Sequence, residues 1–587
     1  MQTPPEDPNE QHVVNYVPDE ISVVISTEGI QDPAAFYEHV RSRLNRQITA
    51  LLKAAASGDQ PIPGPLGADL SPVVLVQRFG GDRAVLQPLR RTKPRPTDQT
   101  AGEGPASSSP WISLRNGRAH HLYFGLGRDP VPVGKMDVQR LHLGLESVRE
   151  LVLLLNRFAR TDAEEATQWK IRAIAPNWLT VAYQFACGCP AGLPLPVESQ
   201  RHRWRFHFRG PLLKAMDEPA RAEVLVAVLD TCPTQVAVDS ATLRFPGNTL
   251  LSEVHKDVPM DSPKLAPTGF AAHLEGCLPR LQWDMQNGPV HTQPDQFAMA
   301  DHGLFVAGVV HDVLAGRGRV HLIRILNDYG IGDLFAITHA LAVLPSLLLQ
   351  SESTRLLINL SLGIDLPIPA RLLDRWLPQV AGNVKALRER GPEVAELLDL
   401  LHANLRDVVD GLTERGILVV AATGNDALRL DVDPGDPPPP RFPARYDDVL
   451  GVAATRRDLH TASDFSNRGE LAAPAWPGDV STFGGSVVAA AAPDQPATTD
   501  PVDNLVGIFS GPSLPGGAPN ASGWVRWAGT SFSTPVVAGA AARLWATRPE
   551  LGPQEVIAWL RSFAHHPRTG PDPDAPLEVP VLDVTQR

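Results

Sequence analysis

Cysteine, basic charge and uninterrupted apolar runs are all scarce in this sequence of 587 residues. Only four cysteines are present (Cys187, Cys189, Cys232 and Cys277), which is too few for a disulfide framework, although it leaves room for one disulfide. The N-terminal segment MQTPPEDPNEQHVVNYVPDE is acidic and lacks the apolar core of a signal peptide. We therefore expect a cytoplasmic protein with free thiols.

The shortage of basic charge and of long apolar runs argues against a nucleic-acid-binding protein and against a membrane-spanning one. The formal net charge of −12 argues against nucleic acid or an anionic membrane surface as the main partner. The most apolar window, LFAITHALAVLPSLLLQ (334–350), is interrupted by His339 and Pro345 and predicts a buried helix rather than a membrane span. Hydrophobic residues at 43% and charged residues at 20% indicate a globular protein with a sizeable core.

The first part of the chain mixes strand-like and helix-like segments. After an N-terminus that we expect to be disordered (1–18), ISVVIS (21–26) predicts a strand, and residues 136–159 have helical spacing of apolar side chains. Residues 91–110 have the composition of a linker or a long loop. The sequence thus predicts an α+β region over 19–210, and we find no catalytic motif in it.

A different pattern begins near residue 216, where short apolar runs alternate with helical segments. Runs this apolar suit strands that are covered on both faces, and helices between them imply parallel crossovers. We therefore predict an α/β domain over 216–565 with a doubly wound, mostly parallel sheet, followed by a C-terminal tail (566–587). The runs are VLVAVL (224–229), VHLIRIL (320–326), RLLINLSL (355–362), GILVVAA (416–422) and DVLGVAA (448–454).

Polar residues stand at the ends of these runs, where chemistry gathers in doubly wound sheets. Asp230 follows one buried run, Asn425 follows another, and His302 begins a helix with small residues in its first turns. Taken singly, each has a structural explanation as a turn, cap or helix-start residue. Taken together, a carboxylate could fix the tautomer of an imidazole, and an amide could donate to developing negative charge.

The segment AGTSFSTPVVAGAAARLW (528–545) predicts a buried helix that begins with hydroxyl groups. We expect Thr530 or Ser531 to cap this helix and Pro535 to lie in its first turn. Ser531 would then lie in the positive field of the helix N-terminus, where backbone N–H groups can bind an oxyanion. A serine hydroxyl still needs a base to become a nucleophile.

The order of these residues favours the catalytic interpretation over the structural one. Asp230, His302, Asn425 and Ser531 follow one another in a single α/β domain. Asp, His, Ser is one of three known orders of a serine-hydrolase triad.

At these segments the chain resembles the subtilisin-like serine peptidases (subtilases), over roughly residues 216–565. In the His segment, Leu304 and Phe305 stand where a Thr-His pair is usual, and Thr423 replaces a smaller residue in the oxyanion segment. The matching segments are VAVLDT (226–231) for Asp, HGLFVAG (302–308) for His, INLSLG (358–363) for the cleft wall, VVAATGN (419–425) for the oxyanion site and GTSFSTPVVAG (529–539) for the nucleophile.

The resemblance implies a serine endopeptidase that acts on a protein or peptide through an acyl-enzyme. Ser531 would be the nucleophile, His302 the general base and then acid, and Asp230 the group that orients His302. Asn425 would donate to the oxyanion together with the backbone N–H of Ser531. The residues implied to flank the substrate pocket are Ser361, Leu362, Gly363, Ala421, Ala422, Thr423 and Gly424.

The chain also departs from a compact subtilase. Asp230 and His302 are 72 residues apart, and we expect insertions near 240–295, 364–410 and 485–525, the second with one or two helices and the third as a long loop at the rim of the cleft. Asp239 and Asp284 are rival candidates for the triad carboxylate, but neither follows a buried run.

Metal and thiol chemistry are not assigned to particular residues. The chemistry needs no cofactor, and subtilases often bind structural calcium, but no DxDxD run gives calcium a place in this sequence. Cys232 is better explained as a buried free thiol than as a redox or metal group, and the pair Cys187 and Cys189 is too short and isolated to be assigned as a metal site.

Two interpretations of the first 200 residues remain open. Subtilases commonly carry an inhibitory N-terminal prodomain of mixed α/β type, and residues 187–200 would then run towards the active site. The alternative is a sensor or docking module that gates the peptidase.

Two other functions compete with an active endopeptidase. One is an idle or tightly gated subtilase fold used for binding or regulation, which the intact set of four residues argues against. The other is an esterase-like α/β enzyme, which predicts a GxSxG elbow, whereas Ser531 lies in GTSFS.

Overall fold

The computed structural model describes residues 16–27, 73–76, 111–113, 120–128, 152, 156, 169–181, 191–198, 202–256, 270–273, 297–349, 354–364, 366, 391–427, 438–467, 480–488, 498–564 and 581–586. The strands are β1 (Tyr16–Thr27), β2 (Val73–Val76), β3 (Trp111–Ser113), β4 (His120–Arg128), β5 (Trp169–Val181), β6 (Leu195–Pro196), β7 (Phe206–Phe208), β8 (Val224–Asp230), β9 (Val254–Lys256), β10 (Phe270–His273), β11 (Arg319–Arg324), β12 (Ile331–Asp333), β13 (Arg355–Leu360), β14 (Gly363–Ile364), β15 (Leu418–Ala422), β16 (Val449–Thr455), β17 (Val480–Phe483), β18 (Val487–Val488), β19 (Thr498–Thr499), β20 (Leu505–Ile508), β21 (Trp524–Trp527) and β22 (Val584–Gln586). The helices are α1 (Gly210–Asp217), α2 (Gln235–Arg244), α3 (Thr249–Ser252), α4 (His302–Leu314), α5 (Leu334–Leu348), α6 (Gly391–Glu414), α7 (Thr530–Thr547) and α8 (Pro553–Phe563).

An eight-stranded sheet forms the centre of the molecule, in the order β17-β16-β15-β13-β8-β11-β10-β9. Every neighbouring pair in it is parallel. All five predicted apolar runs are strands of this sheet, which confirms the doubly wound α/β prediction. The chain starts the sheet at β8 and later continues on its two sides with β11 and β13, so the carboxyl end of β8 lies at the switch point where such folds bind ligands.

The structure corrects two expectations about the added segments. The region 240–295 is not a pure insertion, because it supplies β9 and β10 to the main sheet, with Phe270 paired to Val320. The region 485–525 is not simply a long loop, because it contains β18 to β20, and β20 pairs with β21. These strands are so short, and so closely flanked by polar residues and glycines, that they leave no recognisable apolar run in the sequence.

Within the predicted C-terminal tail (566–587), the described residues 581–586 pack onto the fold. Strand β22 pairs with β7, and Val581 and Leu582 are buried. In the predicted insertion 364–410, residues 391–410 belong to α6, the expected helix.

An antiparallel sheet in the order β12-β5-β1-β4-β2 contains most of the described N-terminal residues. Tyr16 already pairs with Trp178, so the N-terminus that was expected to be disordered (1–18) ends at least three residues earlier. Of the predicted helix 136–159 only residues 152 and 156 are described, both helical, and the predicted linker 91–110 lies outside the described residues.

Helices α4 and α7 pack against each other beside the main sheet through small residues. A Cβ atom placed on Gly539 would lie only 2.6 Å from Cβ of Val313, so the two helices approach closely because Gly539 has no side chain. Helix α7 begins at Thr530 after Gly529, without a side-chain cap, so the predicted hydroxyl cap is wrong and Pro535 lies beyond the first turn. None of the helices described here is long and apolar enough to cross a membrane.

Candidate active site

Asp230 and His302 form a buried pair at the switch point of the main sheet. Strand β8 ends at Asp230 and helix α4 begins at His302, and the distance from His302 Nδ1 to Asp230 Oδ1 is 2.7 Å. The backbone N–H of Thr231 also donates to Asp230 Oδ1, at 2.6 Å. The carboxylate is therefore held from two sides and fixes the imidazole ring.

Gly303 allows this close approach of α4 to β8. A Cβ atom on Gly303 would lie 2.1 Å from the carbonyl oxygen of Thr231, which no side chain can tolerate. The N–H of Gly303 donates to Thr231 Oγ1 at 3.0 Å, and this hydroxyl donates to the Ala300 carbonyl at 2.9 Å. The start of α4 is thus tied to the end of β8.

Ser531 lies in the first turn of α7 and is joined to Ser361 by two hydrogen bonds. Ser531 Oγ donates to the Ser361 carbonyl at 3.2 Å, and Ser361 Oγ donates to the Ser531 carbonyl at 2.8 Å. The second bond has a clear cause, because Pro535 lacks the N–H that would normally bond the carbonyl four residues earlier. Ser361 therefore replaces a missing helix hydrogen bond.

His302 contacts the residue that follows Ser531, and no hydrogen bond joins its Nε2 to Ser531 Oγ. The His302 ring lies 5.3 Å from the ring of Phe532, the residue after Ser531. His302 Nε2 is buried and accepts no hydrogen bond from the described residues. Asp230, His302 and Ser531 are all 0% exposed, so the site is closed in this state.

Asn425 is oriented by the residue before Ser531. Its Oδ1 accepts from the Thr530 N–H at 2.9 Å and from Thr530 Oγ1 at 2.8 Å. Since the oxygen end of the amide is held in this way, its NH₂ end is the one able to donate to an anion.

The pocket residues implied by the resemblance lie on two neighbouring strands. The residues Ser361, Leu362 and Gly363 follow β13, and the residues Ala421, Ala422, Thr423 and Gly424 end β15 and continue beyond it; all seven are buried. Strands β13 and β15 are paired in parallel, with Leu360 opposite Ala421. The two segments therefore leave the sheet side by side.

Sequence reasoning missed Arg441 and Asp426, which lie against this pair of segments. Arg441 binds Asp426 with two hydrogen bonds of 2.7 Å each, and both side chains are largely buried. Arg441 stands just before the segment FPARYDDVLGVAAT (442–455), and no spacing or composition marks it as a site residue.

Sequence reasoning also missed Asp301, the neighbour of His302. Its carboxylate accepts from the N–H and Oγ of Ser510 at 2.7 and 2.6 Å, and from the Gly511 N–H at 3.2 Å. Burial raises the pKa of Asp301, and these three hydrogen bonds partly oppose the rise. Asp301 thereby attaches the chain after β20 to the start of α4.

The remaining candidates have no contact with His302 or Ser531 among the hydrogen bonds described above, or lie outside the described residues. Asp239 is exposed on α2, and Cys232 is buried two residues after Asp230. The positions Asp284, Cys187, Cys189 and Cys277 lie outside the described residues. Within the described ranges, no three His, Cys, Asp or Glu side chains come together to hold a metal ion, so calcium remains without a place.

The family comparison covers the second half of the chain. The model of the "Subtilase family" matches residues 282–576, slightly more than half of the 587 residues. His302, Asn425 and Ser531 fall within the match, and Asp230 lies before it. No curated protein matches the chain.

The solved structures to which the chain is similar include three proteases. A prenylagaramide maturation protease, PagA, is 18% identical with a TM-score of 0.35, over 64% of this chain and 96% of that one. A lanthipeptide protease is 18% identical with a TM-score of 0.34, over 60% and 83%. A psychrophilic protease is 18% identical with a TM-score of 0.31, over 59% and 84%.

Proposed function

Because this chain belongs to the subtilase family of serine peptidases, we propose that it is an endopeptidase that cleaves peptide bonds with Ser531, His302 and Asp230. The observation that carries this proposal is the buried 2.7 Å contact between His302 and Asp230 beside the helix that bears Ser531. A buried carboxylate on Nδ1 leaves Nε2 of the neutral ring as the proton acceptor. In the structure this Nε2 is buried and receives no hydrogen bond from the described residues.

The reaction needs one local rearrangement of Ser531. Its Oγ leaves the Ser361 carbonyl and turns to His302 Nε2, which takes the proton as Oγ attacks the peptide carbonyl. His302 then passes this proton to the leaving amine. In the second step, His302 takes a proton from water as the water attacks the acyl-enzyme, and returns it to Ser531 Oγ. His302 can therefore act as the base only in its neutral form.

Asn425 is proposed as the oxyanion donor, together with the Ser531 N–H. Both groups lie at the N-terminus of α7, where the helix field also favours negative charge. We expect Asn425→Ala to lower kcat on the order of 10²–10³-fold, a magnitude known from a subtilisin, with little change in KM. Asn425→Asp is the matched variant, because it keeps the size but replaces the NH₂ donor by an acceptor.

Labelling with a fluorophosphonate tests the nucleophile directly. The wild type should be labelled on Ser531, Ser531→Ala should not, and His302→Ala should react much more slowly. Ser533→Ala, which removes another buried hydroxyl of α7, should be labelled like the wild type. Wild type that stays unlabelled under every condition, including after prolonged incubation, would contradict the proposal.

We also propose that the N-terminal region inhibits the site by occupying its substrate wall. Strand β5 pairs antiparallel with β14, placing Val181 opposite Gly363, and with β12, placing Val181 opposite Ile331. Gly363 belongs to the wall that should bind substrate, so β5 takes the position of a substrate strand. This arrangement favours a gated enzyme over a permanently idle binding protein.

Buried polar contacts attach this region to α5 and α6. Asn177 accepts from the Phe335 N–H at 3.1 Å, and Trp178 Nε1 donates to the Leu401 carbonyl at 3.2 Å. Asn404 donates to Ser22. These buried hydrogen bonds oppose release of the N-terminal region.

The chain between β5 and residue 191 is the expected site of self-cleavage. Val181 is held at Gly363, while the Ala191 N–H donates to the Ala528 carbonyl at 2.9 Å, three residues before Ser531. The described residues that flank the segment 182–190 are therefore held by segments that adjoin Ser361 and Ser531. On incubation, the wild type should acquire a new N-terminus within this segment, and Ser531→Ala should not.

A proline substitution tests inhibition without removing any domain. Thr180→Pro deletes a strand N–H where β5 pairs with Ile364 and Gly332, so fluorophosphonate labelling should become faster. Thr180→Ala keeps the N–H and should label at the wild-type rate. Equal rates for all three proteins, with no cleavage within 182–190, would favour the sensor or docking interpretation.

A further inference from the structure

We propose that Arg441 fills the pocket beside Ser531 and occupies the place of a basic substrate side chain. Cleavage is thereby restricted to peptides in which the residue before the scissile bond has a small side chain. The inference deepens the proposed function and rests on it, because a specificity pocket matters only if Ser531 attacks a peptide.

The backbone around Arg441 is attached to both walls of the pocket. The Arg441 N–H donates to the Thr423 carbonyl at 2.8 Å, on the wall that follows β15. The carbonyl of the next residue, Phe442, accepts from the Ile364 N–H at 2.8 Å, on the wall that follows β13. Arg441 is therefore anchored at the point where the two walls meet.

The methylene groups of Arg441 occupy the space between the walls. A Cβ atom placed on Gly363 would lie 2.9 Å from Cδ and 3.0 Å from Cβ of Arg441. A Cβ atom placed on Gly424, on the opposite wall, would lie 2.7 Å from Nδ2 of Asn467 and 3.3 Å from the same Cδ of Arg441. Arg441 thus takes the space beside Gly363 and shares the space beside Gly424 with Asn467.

The guanidinium group ends on a carboxylate that is built into the pocket. Asp426 accepts two parallel hydrogen bonds from Arg441, and the two side chains are only 5% and 11% exposed. Asn467 fixes Asp426 from the other side, with its Nδ2 donating at 2.6 Å and its Oδ1 accepting from the Asp426 N–H at 2.6 Å. A rigid, buried carboxylate facing a forked guanidinium is the arrangement that recognises arginine.

This arrangement determines which substrates can enter. A basic side chain would meet both the volume and the positive charge of Arg441, and a long apolar side chain would meet its methylene groups. Alanine, glycine or serine at that position fits without displacing Arg441. Removing Arg441 should empty the space and leave Asp426 as a binding site for a basic side chain.

Two fluorogenic peptides that differ only in Ala or Arg before the scissile bond test this assignment. The wild-type full chain, under conditions in which Ser531 is labelled, should cleave the Ala peptide and discriminate against the Arg peptide. Arg441→Gly should raise the Arg-to-Ala ratio of kcat/KM on the order of 100-fold, the gain expected from a buried charge pair. The double variant Arg441→Gly with Asp426→Asn should lose this gain.

Two controls separate the pocket from general charge effects. Arg456→Gly removes an arginine from an exposed pair with Asp464 and should keep the wild-type ratio. Arg441→Lys keeps the positive charge and should still discriminate against the Arg peptide. If these proteins are labelled on Ser531, either of two results would overturn the inference. One is a wild type that cleaves both peptides equally well, and the other is an Arg441→Gly variant whose Arg-to-Ala ratio of kcat/KM does not rise. Absence of labelling in every protein would instead overturn the proposed function, and the inference with it.

A binding measurement gives a readout that does not need turnover. Free guanidinium ion at low, non-denaturing concentration should raise the Tm of Arg441→Gly by filling the vacated site above Asp426. The same concentration should leave the wild type and the double variant unchanged. An equal response of all three proteins would contradict a pocket built around Asp426.

Discussion

At the scale of single residues, the link between Ser361 and Ser531 joins a strand end to the proposed nucleophile. Pro535 removes one helix N–H, and Ser361 Oγ supplies the missing donor to the Ser531 carbonyl at 2.8 Å. Asn359 Nδ2 in turn donates to Ser361 Oγ at 3.0 Å. The position of the first turn of α7 is therefore set by β13 and not by α7 alone.

We predict that Ser361→Ala destabilises the protein by about 1–3 kcal/mol, because the Ser531 carbonyl stays buried without a donor. The double variant Ser361→Ala with Pro535→Ala should recover part of this loss, since replacing the proline by alanine restores the N–H of the helix. Urea unfolding of the four proteins of this cycle, all in a Ser531→Ala background that prevents self-cleavage, measures the coupling. Strictly additive effects of the two substitutions would mean that Ser361 does not compensate for Pro535.

At the scale of elements, the contact between α4 and α7 holds His302 and Ser531 on two helices that meet through Gly539. We expect Gly539→Ala to destabilise the protein by about 1–3 kcal/mol, because the new methyl group overlaps Val313. Val313→Ala in the same chain removes Cγ1 but keeps Cβ, both of which lie 2.6 Å from the new methyl group, so the double variant should recover only part of the loss. Thermal unfolding of the single and double variants tests this, with Ala540→Gly as a control for helix propensity. A Gly539→Ala variant as stable as the wild type would show that the helices can move apart freely.

The same elements show how far sequence reasoning reaches. The five apolar runs were predicted as strands, because burial on both faces leaves a strong signal in composition. Asp230, His302, Asn425 and Ser531 were chosen as candidates because each lies at or near the end of such a strand or the start of a helix. Strands β9, β10 and β18 to β20 were missed because they are short, and their pairing depends on distant partners such as Val320 opposite Phe270.

Residues that act through tertiary contacts left no pattern in the sequence. Arg441 meets Asp426 only because two loops fold together, and Asp301 meets Ser510 across 209 residues of chain. The hydroxyl cap of α7 was predicted from propensity, which does not include the acceptor that Asn425 Oδ1 provides for the Thr530 N–H from the loop after β15. Long-range partners therefore account for most of what the sequence did not predict at this site.

At the scale of the whole molecule, α5 lies between the N-terminal sheet and the main core and carries a histidine that is mostly buried. His339 lies 5.8 Å from the ring of Phe335, and burial lowers its pKa to about 4 from an ordinary value of 6.5. The folded protein thus keeps this ring neutral across a range of pH in which the unfolded chain binds a proton.

The sign of the resulting pH dependence follows from proton uptake. Between pH 6.5 and 4 the unfolded state binds more protons at His339 than the folded state, so the stability contributed by this residue is complete above pH 6.5 and is lost as the pH falls. We predict that the wild type loses about 3 kcal/mol more stability than His339→Leu between pH 7 and pH 4. Urea unfolding of both proteins in the Ser531→Ala background gives this difference, and groups common to both, such as Asp312, cancel. Parallel stability curves for the two proteins would mean that His339 binds its proton in the folded state, and hence that α5 admits water beside the N-terminal sheet.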